Sequence, residues 1–251
     1  MHKLTLFLLM GSLTPLLPGT LYWNQDSSGR LYTINTTTGA ATDIGVSGVA
    51  LGTVGLALSP TPGVLYGSNP FGLTNIQADG SGATLVGNLA MEGMEYVASS
   101  NTLYATTNGS FFTVNQVTGT TLTTLASPGT DVEGLAYGNN VIYGLAANDN
   151  LYAYNIGSNT WSLVGATGFN FDDAGLAYDP TRNVLYAVGA GDALYTINPG
   201  TGAATFVGAL GVTGFFEGGL AFSADEVPEP ATISLIALGL GASFLLRRRV
   251  A

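Results

Sequence analysis

Cysteine is absent from this 251-residue chain, and histidine occurs once, at His2. The first absence excludes disulfides and thiolate chemistry, and it fits the cytoplasm and an exported bacterial protein equally well. The second removes imidazole from the body of the chain, and with it most acid–base and metal-hydrolase designs. Charge is scarce too. Charged residues make up 9% of the chain, well below an ordinary globular domain. Lys3, Arg247, Arg248 and Arg249 belong to the ends, which leaves only Arg30 and Arg182 in the body. Between Gly19 and Glu226 fifteen acidic residues face those two arginines. Nucleic acid needs a basic footprint and is not an expected partner. No glycine loop that cradles phosphate is present either, because the Gly pairs sit in strand turns and precede no helix.

What remains is rich in turns and in apolar strands. Glycine contributes 36 residues, and 46% of the chain is hydrophobic. This composition predicts an all-β repeat protein and argues against disorder. The stretch from Gly175 to Gly208, GLAYDPTRNVLYAVGAGDALYTINPGTGAATFVG, shows the unit. Four alternating runs are separated by DPTRN, GAGD and NPGTG, the Asp-Pro, Gly-Asp and Asn-Pro-Gly chemistry of chain reversal. It predicts a four-stranded antiparallel meander, with strands termed A to D. B strands recur at Leu21-Tyr22, Leu65-Tyr66, Leu103-Tyr104, Ile142-Tyr143 and Leu185-Tyr186. C strands read LYTIN, LTNIQ, FFTVN, LYAYN and LYTIN, and D strands end at Gly45, Gly87, Gly165 and Gly208. The third D copy, TTLTTL around Leu125, lacks the closing glycine.

A strands start at Gly55, Gly93, Gly134, Gly175 and Gly219. The order is permuted: the first unit has B, C and D, and the last A strand stands alone before the tail. A linear stack gains nothing from such a split. A ring gains closure of both edges. Four strands repeating at a period near 40 residues are propeller blades. The expected fold is a five-bladed β-propeller over residues 21–222, with Leu220 beside Tyr22. Glycine heads every A strand because five innermost strands crowd one axis.

The ends carry an address. Residues 1–20, with Lys3 followed by the apolar run Leu4–Leu17, read as a signal peptide; the alternative is a buried first strand or an anchor. Residues 223–230 form a polar linker. The stretch from Ala231 to Leu246 lacks charge and precedes Arg247, Arg248 and Arg249. As a helix it would be about 24 Å long, close to a ~30 Å hydrocarbon core, with the arginines on the cytoplasmic side. Val227-Pro228-Glu229-Pro230, an apolar helix and a terminal Arg cluster together resemble the PEP-CTERM sorting signal of Gram-negative bacteria. That resemblance implies an exosortase as partner and the inner membrane as a way station. It also implies a final place at the cell surface or in an extracellular matrix, often beside exopolysaccharide. Pro228, Glu229 and Pro230 would then be the motif read by the sorting enzyme.

Candidate chemistry gathers before the A strands. Glu92, Glu133, Asp172 with Asp173, and Glu217 would surround one mouth of the ring. Glu92, Glu133, Asp173 and Glu217 form a candidate Ca²⁺ set, or else are solvated loop acids. No other cofactor is implied. Phe169, Phe171, Phe215 and Phe216 share those loops and read either as a sugar-binding surface or as plugs between blades. The expected function is a non-enzymatic surface or matrix protein that binds a glycan or a protein, with no catalytic residues. The alternative is a carboxylate-based glycan hydrolase, which would need two carboxyls at a set separation.

Overall fold

The computed structural model describes residues 19–26, 28–46, 55–69, 71–171, 174–189, 191–212 and 218–224, and the compact unit they belong to spans Gly19–Ala224. The signal peptide, the linker from Asp225, the apolar tail and the Arg cluster lie outside the described residues. Among the described residues no helix is long and apolar enough to cross a membrane.

The strands fall into five four-stranded sheets, each an antiparallel meander. Blade 1 holds β1 (Thr20–Asn24), β2 (Arg30–Ile34) and β3 (Ala41–Val46). Blade 2 holds β4 (Gly55–Leu58), β5 (Val64–Asn69), β6 (Gly72–Gln77) and β7 (Ala83–Leu85). Blade 3 runs through β8 (Met94–Val97), β9 (Thr102–Thr107), β10 (Ser110–Val114) and β11 (Thr121–Thr124). Blade 4 has β12 (Val132–Gly138), β13 (Val141–Ala146), β14 (Asn150–Asn155) and β15 (Thr160–Ala166). Blade 5 has β16 (Gly175–Asp179), β17 (Val184–Gly189), β18 (Ala193–Ile197) and β19 (Ala204–Ala209). The last strand, β20 (Leu220–Ser223), returns to blade 1 as its A strand.

That return closes the ring. Leu21 pairs with Phe222, Tyr22 with Ala221 and Trp23 with Leu220. The seal is one pair longer than the sequence implied: Thr20 and Ser223, read above as leader and linker, also face each other across it. The A strands are neighbours in the cyclic order β4, β8, β12, β16, β20 and back to β4. Ala174 and Gly218 form a parallel bridge in that ring.

The glycine rule holds with a specific cause. A Cβ on Gly134 would lie 2.6 Å from the carbonyl oxygen of Ala174, at the head of the next A strand. The same collision awaits Gly55 at Glu92, Gly175 at Gly218 and Gly219 at Leu56, and a Cβ on Gly93 would meet the Thr106 hydroxyl at 2.6 Å and the Glu133 carbonyl oxygen at 3.0 Å. Each clash involves main chain, which cannot rotate away. Glycine is therefore what lets five strands share one axis.

Apolar side chains do not form a single central core. They form five clusters, one in each seam between neighbouring blades. Strand alternation sends one face of each sheet to each seam. Leu176 and Phe171 from blade 5 thus meet Tyr143 and Leu151 from blade 4. Leu21 and Trp23 meet Tyr186 and Val188 at the closing seam. Burying one such Leu contributes about 2–3 kcal/mol, so the ring is stabilised seam by seam. The Tyr of each B strand points into the next seam, as Tyr66 against Tyr96, Tyr143 against Tyr178 and Tyr186 against Phe222 show.

Turns follow from local chemistry. Asp179 Oδ1 accepts the N–H groups of Thr181 and Arg182, and its Oδ2 accepts from the Arg182 guanidinium, which shapes DPTRN. Asn35, Asn115, Asn155 and Asn198 start the C–D turns, each accepting main-chain N–H groups two or three residues on. At the outer rim those turns meet the D strand of the preceding blade. A Cβ on Gly202 would lie 2.6 Å from the Gly165 oxygen, and one on Gly45 would lie 2.6 Å from the Gly80 oxygen.

Candidate functional site

Three described acids near the mouth accept hydrogen bonds from main chain. Glu92 Oε2 accepts the N–H of Asn108 at 2.8 Å, tying the loop before β8 to the β9–β10 turn. Asp131 does the same for Gly109 at 2.9 Å, and Asp149 for Phe171 at 2.8 Å. Glu133 is the bulged residue between Val132 and Gly134 and is buried, 6% exposed. Asp173 and Glu217 lie outside the described residues, as do Asp172, Phe215 and Phe216. Among the described residues no three acidic or imidazole groups come together as a metal cluster. Asp131 and Asp149 were not singled out by the sequence, because they are not aligned with the A-strand glycines.

The two described phenylalanines differ in environment. Phe171 is fully buried in the seam between blades 4 and 5, packed edge-on against Tyr195 at 5.1 Å. Phe169 is 38% exposed and leans on Tyr195 at 4.8 Å. The pair is therefore not one flat platform: Phe171 is a plug and Phe169 keeps an open face.

The seam between blades 3 and 4 departs from the repeat at the axis and at the rim. At the axis the third residue of the A strand is Ala57, Ala136, Ala177 or Ala221 in four blades, each buried. Blade 3 has Glu95 there. Its neighbours in the alternation place it toward blade 4, and the main chain of Tyr137 donates a hydrogen bond to its carboxylate. Loss of hydration pushes the Glu95 carboxyl up to about 8, and the Tyr137 hydrogen bond offsets only part of that rise. Glu95 keeps partial solvent contact as a residue, so it is the carboxyl end that is withdrawn from water. The signal was readable in GLAL, GMEY, GLAY, GLAY and GLAF, where one Glu interrupts a column of alanine.

At the outer rim the missing glycine of TTLTTL is answered from the next blade. Trp161 Nε1 donates to the Ala126 carbonyl at 3.0 Å, and Asn159 Oδ1 accepts the Ala126 N–H at 3.0 Å. Asn159 takes the left-handed turn position, φ 53°, that glycine fills at Gly39, Gly119 and Gly202. The Trp161 indole packs edge-on against Phe111 at 5.0 Å. The B, C and D strands of blade 3 and the turns beside them line a cavity of ≈ 580 Å³, whose walls include Asn101, Tyr104, Thr113, Gln116, Thr123 and Leu125. Tyr104 and Leu125 also belong to the cluster shared with blade 4.

Together these features define an all-β, closed five-bladed propeller whose seam between blades 3 and 4 departs from the repeat. Residues 226–249 match the PEP-CTERM protein-sorting motif, so the chain carries that sorting signal directly after its propeller. The motif indicates export, membrane anchoring during sorting and exosortase processing. The fold is similar to a chain in the crystal structure of a nidogen/laminin complex, with a TM-score of 0.57 and 15% identity over 81% of each chain. At that identity the likeness concerns the fold alone. No curated protein matches the sequence.

Proposed function

We propose that the chain is an exported, non-enzymatic propeller that binds a glycan or a protein at the cell surface or in the extracellular matrix. The observation that carries this reading is the sorting motif at residues 226–249, which begins three residues after the strand that seals the ring. A cleavable address on a closed propeller suits a module delivered outside the cell to hold something. Final residence beyond the membrane, and exopolysaccharide or a surface protein as ligand, belong to this proposal.

The test uses the full-length chain in an exosortase-containing bacterium, followed by fractionation. The native chain is expected in the surface or matrix fraction. Substituting alanine for Pro228 and Pro230, or glutamine for Arg247, Arg248 and Arg249, is expected to hold it at the inner membrane. Equal fractionation of all three would overturn the reading. Glycan and protein arrays on the same protein read the binding half.

The alternative, a carboxylate-based glycan hydrolase, would draw its general acid from Glu95, whose carboxyl burial pushes up to about 8, and it requires a second carboxyl at a set separation. Under that alternative, glycan hydrolysis, release of reducing ends should stop in Glu95→Gln. A Ca²⁺ role for Glu92, Glu133, Asp173 and Glu217 predicts a melting temperature that rises with added Ca²⁺, and an unchanged one removes it.

A further inference from the structure

The B, C and D strands of each blade place one side chain apiece in a row across the sheet, facing the next seam. In blade 1 the row is Tyr22, Thr33 and Thr42, and in blade 5 it is Tyr186, Thr196 and Thr205. Blade 2 has Tyr66, Asn75 and Thr84, where the buried Asn75 Oδ1 has no hydrogen-bond partner. Blade 4 loses the middle rung to Ala153. In blade 3 the row is Tyr104, Thr113 and Thr123, and it lines the ≈ 580 Å³ cavity. That volume lies within the usual range of ligand pockets, about 300–1,000 Å³.

From this arrangement the geometry points to a binding groove for a neutral, polyhydroxylated chain, a glycan without acidic groups, on the blade 4-facing side of blade 3. The inference rests on the glycan branch of the function proposed above and gives it a place. Three observations converge on the chemistry. First, the rungs are hydroxyls at the strand spacing of about 4.8 Å, each able to donate and to accept, as sugar hydroxyls are. Second, the lining holds no Asp, Glu, Lys, Arg or His. Burial raises the Tyr104 hydroxyl above its ordinary value, so it too stays neutral. Third, the wall includes Val117 and Leu122, which are 83% and 62% exposed and offer an apolar surface for ring C–H groups. Gln116, hydrogen-bonded to the Tyr66 hydroxyl and the Asn101 carbonyl, fixes one end of the groove.

Placement adds weight. The groove faces the seam that, among the described residues, breaks the repeat at the axis, with Glu95, and at the rim, with Asn159 and Trp161. Local departures from an otherwise consistent pattern concentrate where function is built. Thr rows also suit β-sheets for their own sake, so the test must separate the hydroxyl from the shape.

The experiment is affinity electrophoresis of the full-length chain in mild detergent, through gels containing dextran, a mixed-linkage β-glucan or the acidic polymer alginate. The native chain should be retarded by at least one neutral glycan. The double variant Thr113→Val, Thr123→Val keeps the branched shape and should lose that retardation at least tenfold, with its melting temperature unchanged. Thr196→Val, Thr205→Val, the same change in the closing seam, should leave it intact. Should the first variant fold poorly, Thr123→Ala alone, at an exposed edge position, reads the same contact. Retardation equal in both double variants overturns the groove while leaving glycan binding elsewhere. Binding only to alginate or to proteins on the array overturns a neutral ligand while the broader binding function stands.

Discussion

Replacing Glu95 by alanine should stabilise the protein in alkaline solution and leave it nearly unchanged in acid. The folded carboxyl is pushed up to about 8 from an ordinary value of 4.5. Between those two values the unfolded chain has released the proton and the folded chain has not. Stability therefore falls as pH rises from about 4.5 to about 8, and the loss is complete above that. Each pH unit in this window costs about 1.4 kcal/mol, so the full penalty is on the order of 4–5 kcal/mol. Partial solvent contact makes that an upper bound. Alanine already fills this position in the other four blades, with exposures of 3% or less, so no new packing problem arises. For a domain of this size about 3 kcal/mol corresponds to roughly 10 °C in melting temperature. Thermal melts of native chain and Glu95→Ala at half-unit steps from pH 4 to pH 9 would show it. The curves should converge at pH 4 and separate in favour of Glu95→Ala by pH 8. Parallel curves would refute the argument, because they would mean that Glu95 titrates as it does in the unfolded chain.

Other expectations follow from the same structure. Gly134→Ala puts a Cβ 2.6 Å from the Ala174 oxygen and should cost several kcal/mol or abolish soluble expression, whereas Gly63→Ala, with nothing within 4 Å but φ +76°, should cost only about 1 kcal/mol. Chemical denaturation compares the two. Trp161→Ala removes a partly buried indole and its bond to the Ala126 carbonyl. A loss of about 3 kcal/mol is expected, with faster limited proteolysis near Ala126 and no change at the closing seam. Arg30→Ala breaks the exposed ion pair with Asp43 and a contact with the Tyr32 hydroxyl and should shift the melting temperature little, since solvent screens a pair this open.

The ring was legible because its evidence is topological. A lone A strand at Gly219 and a unit without one at Leu21 require a closing partner, and no side-chain detail is needed to see it. The A-strand glycines were legible for the same reason, since crowding at an axis follows from the count of strands. The mouth acids were harder. Their distance from the A-strand glycine says that they are near the ring entrance, but not that Glu92 and Asp131 spend their oxygens on Asn108 and Gly109. Those partners lie in turns contributed by other strands. Phe169 and Phe171 stand two residues apart in one loop, and nothing local distinguishes the exposed ring from the buried one. The absent glycine of TTLTTL was visible, but its compensation by Asn159 and Trp161 comes from 33 and 35 residues beyond Ala126 and depends on which blade follows. Glu95 was readable and missed. Its column becomes informative only once the third A-strand residue is known to face the next seam.

The central claim is that β20 seals blade 1, and the chain's lack of cysteine makes it directly measurable. Tyr22 and Ala221 are directly opposed across the antiparallel seal, a geometry whose Cα separation of about 4.5–5.5 Å suits a disulfide. In the variant Tyr22→Cys, Ala221→Cys, mild oxidation should form one intramolecular bond in nearly all molecules, seen as a mobility shift that reductant reverses. A folded variant that keeps two free thiols under the same oxidation would contradict the closed ring.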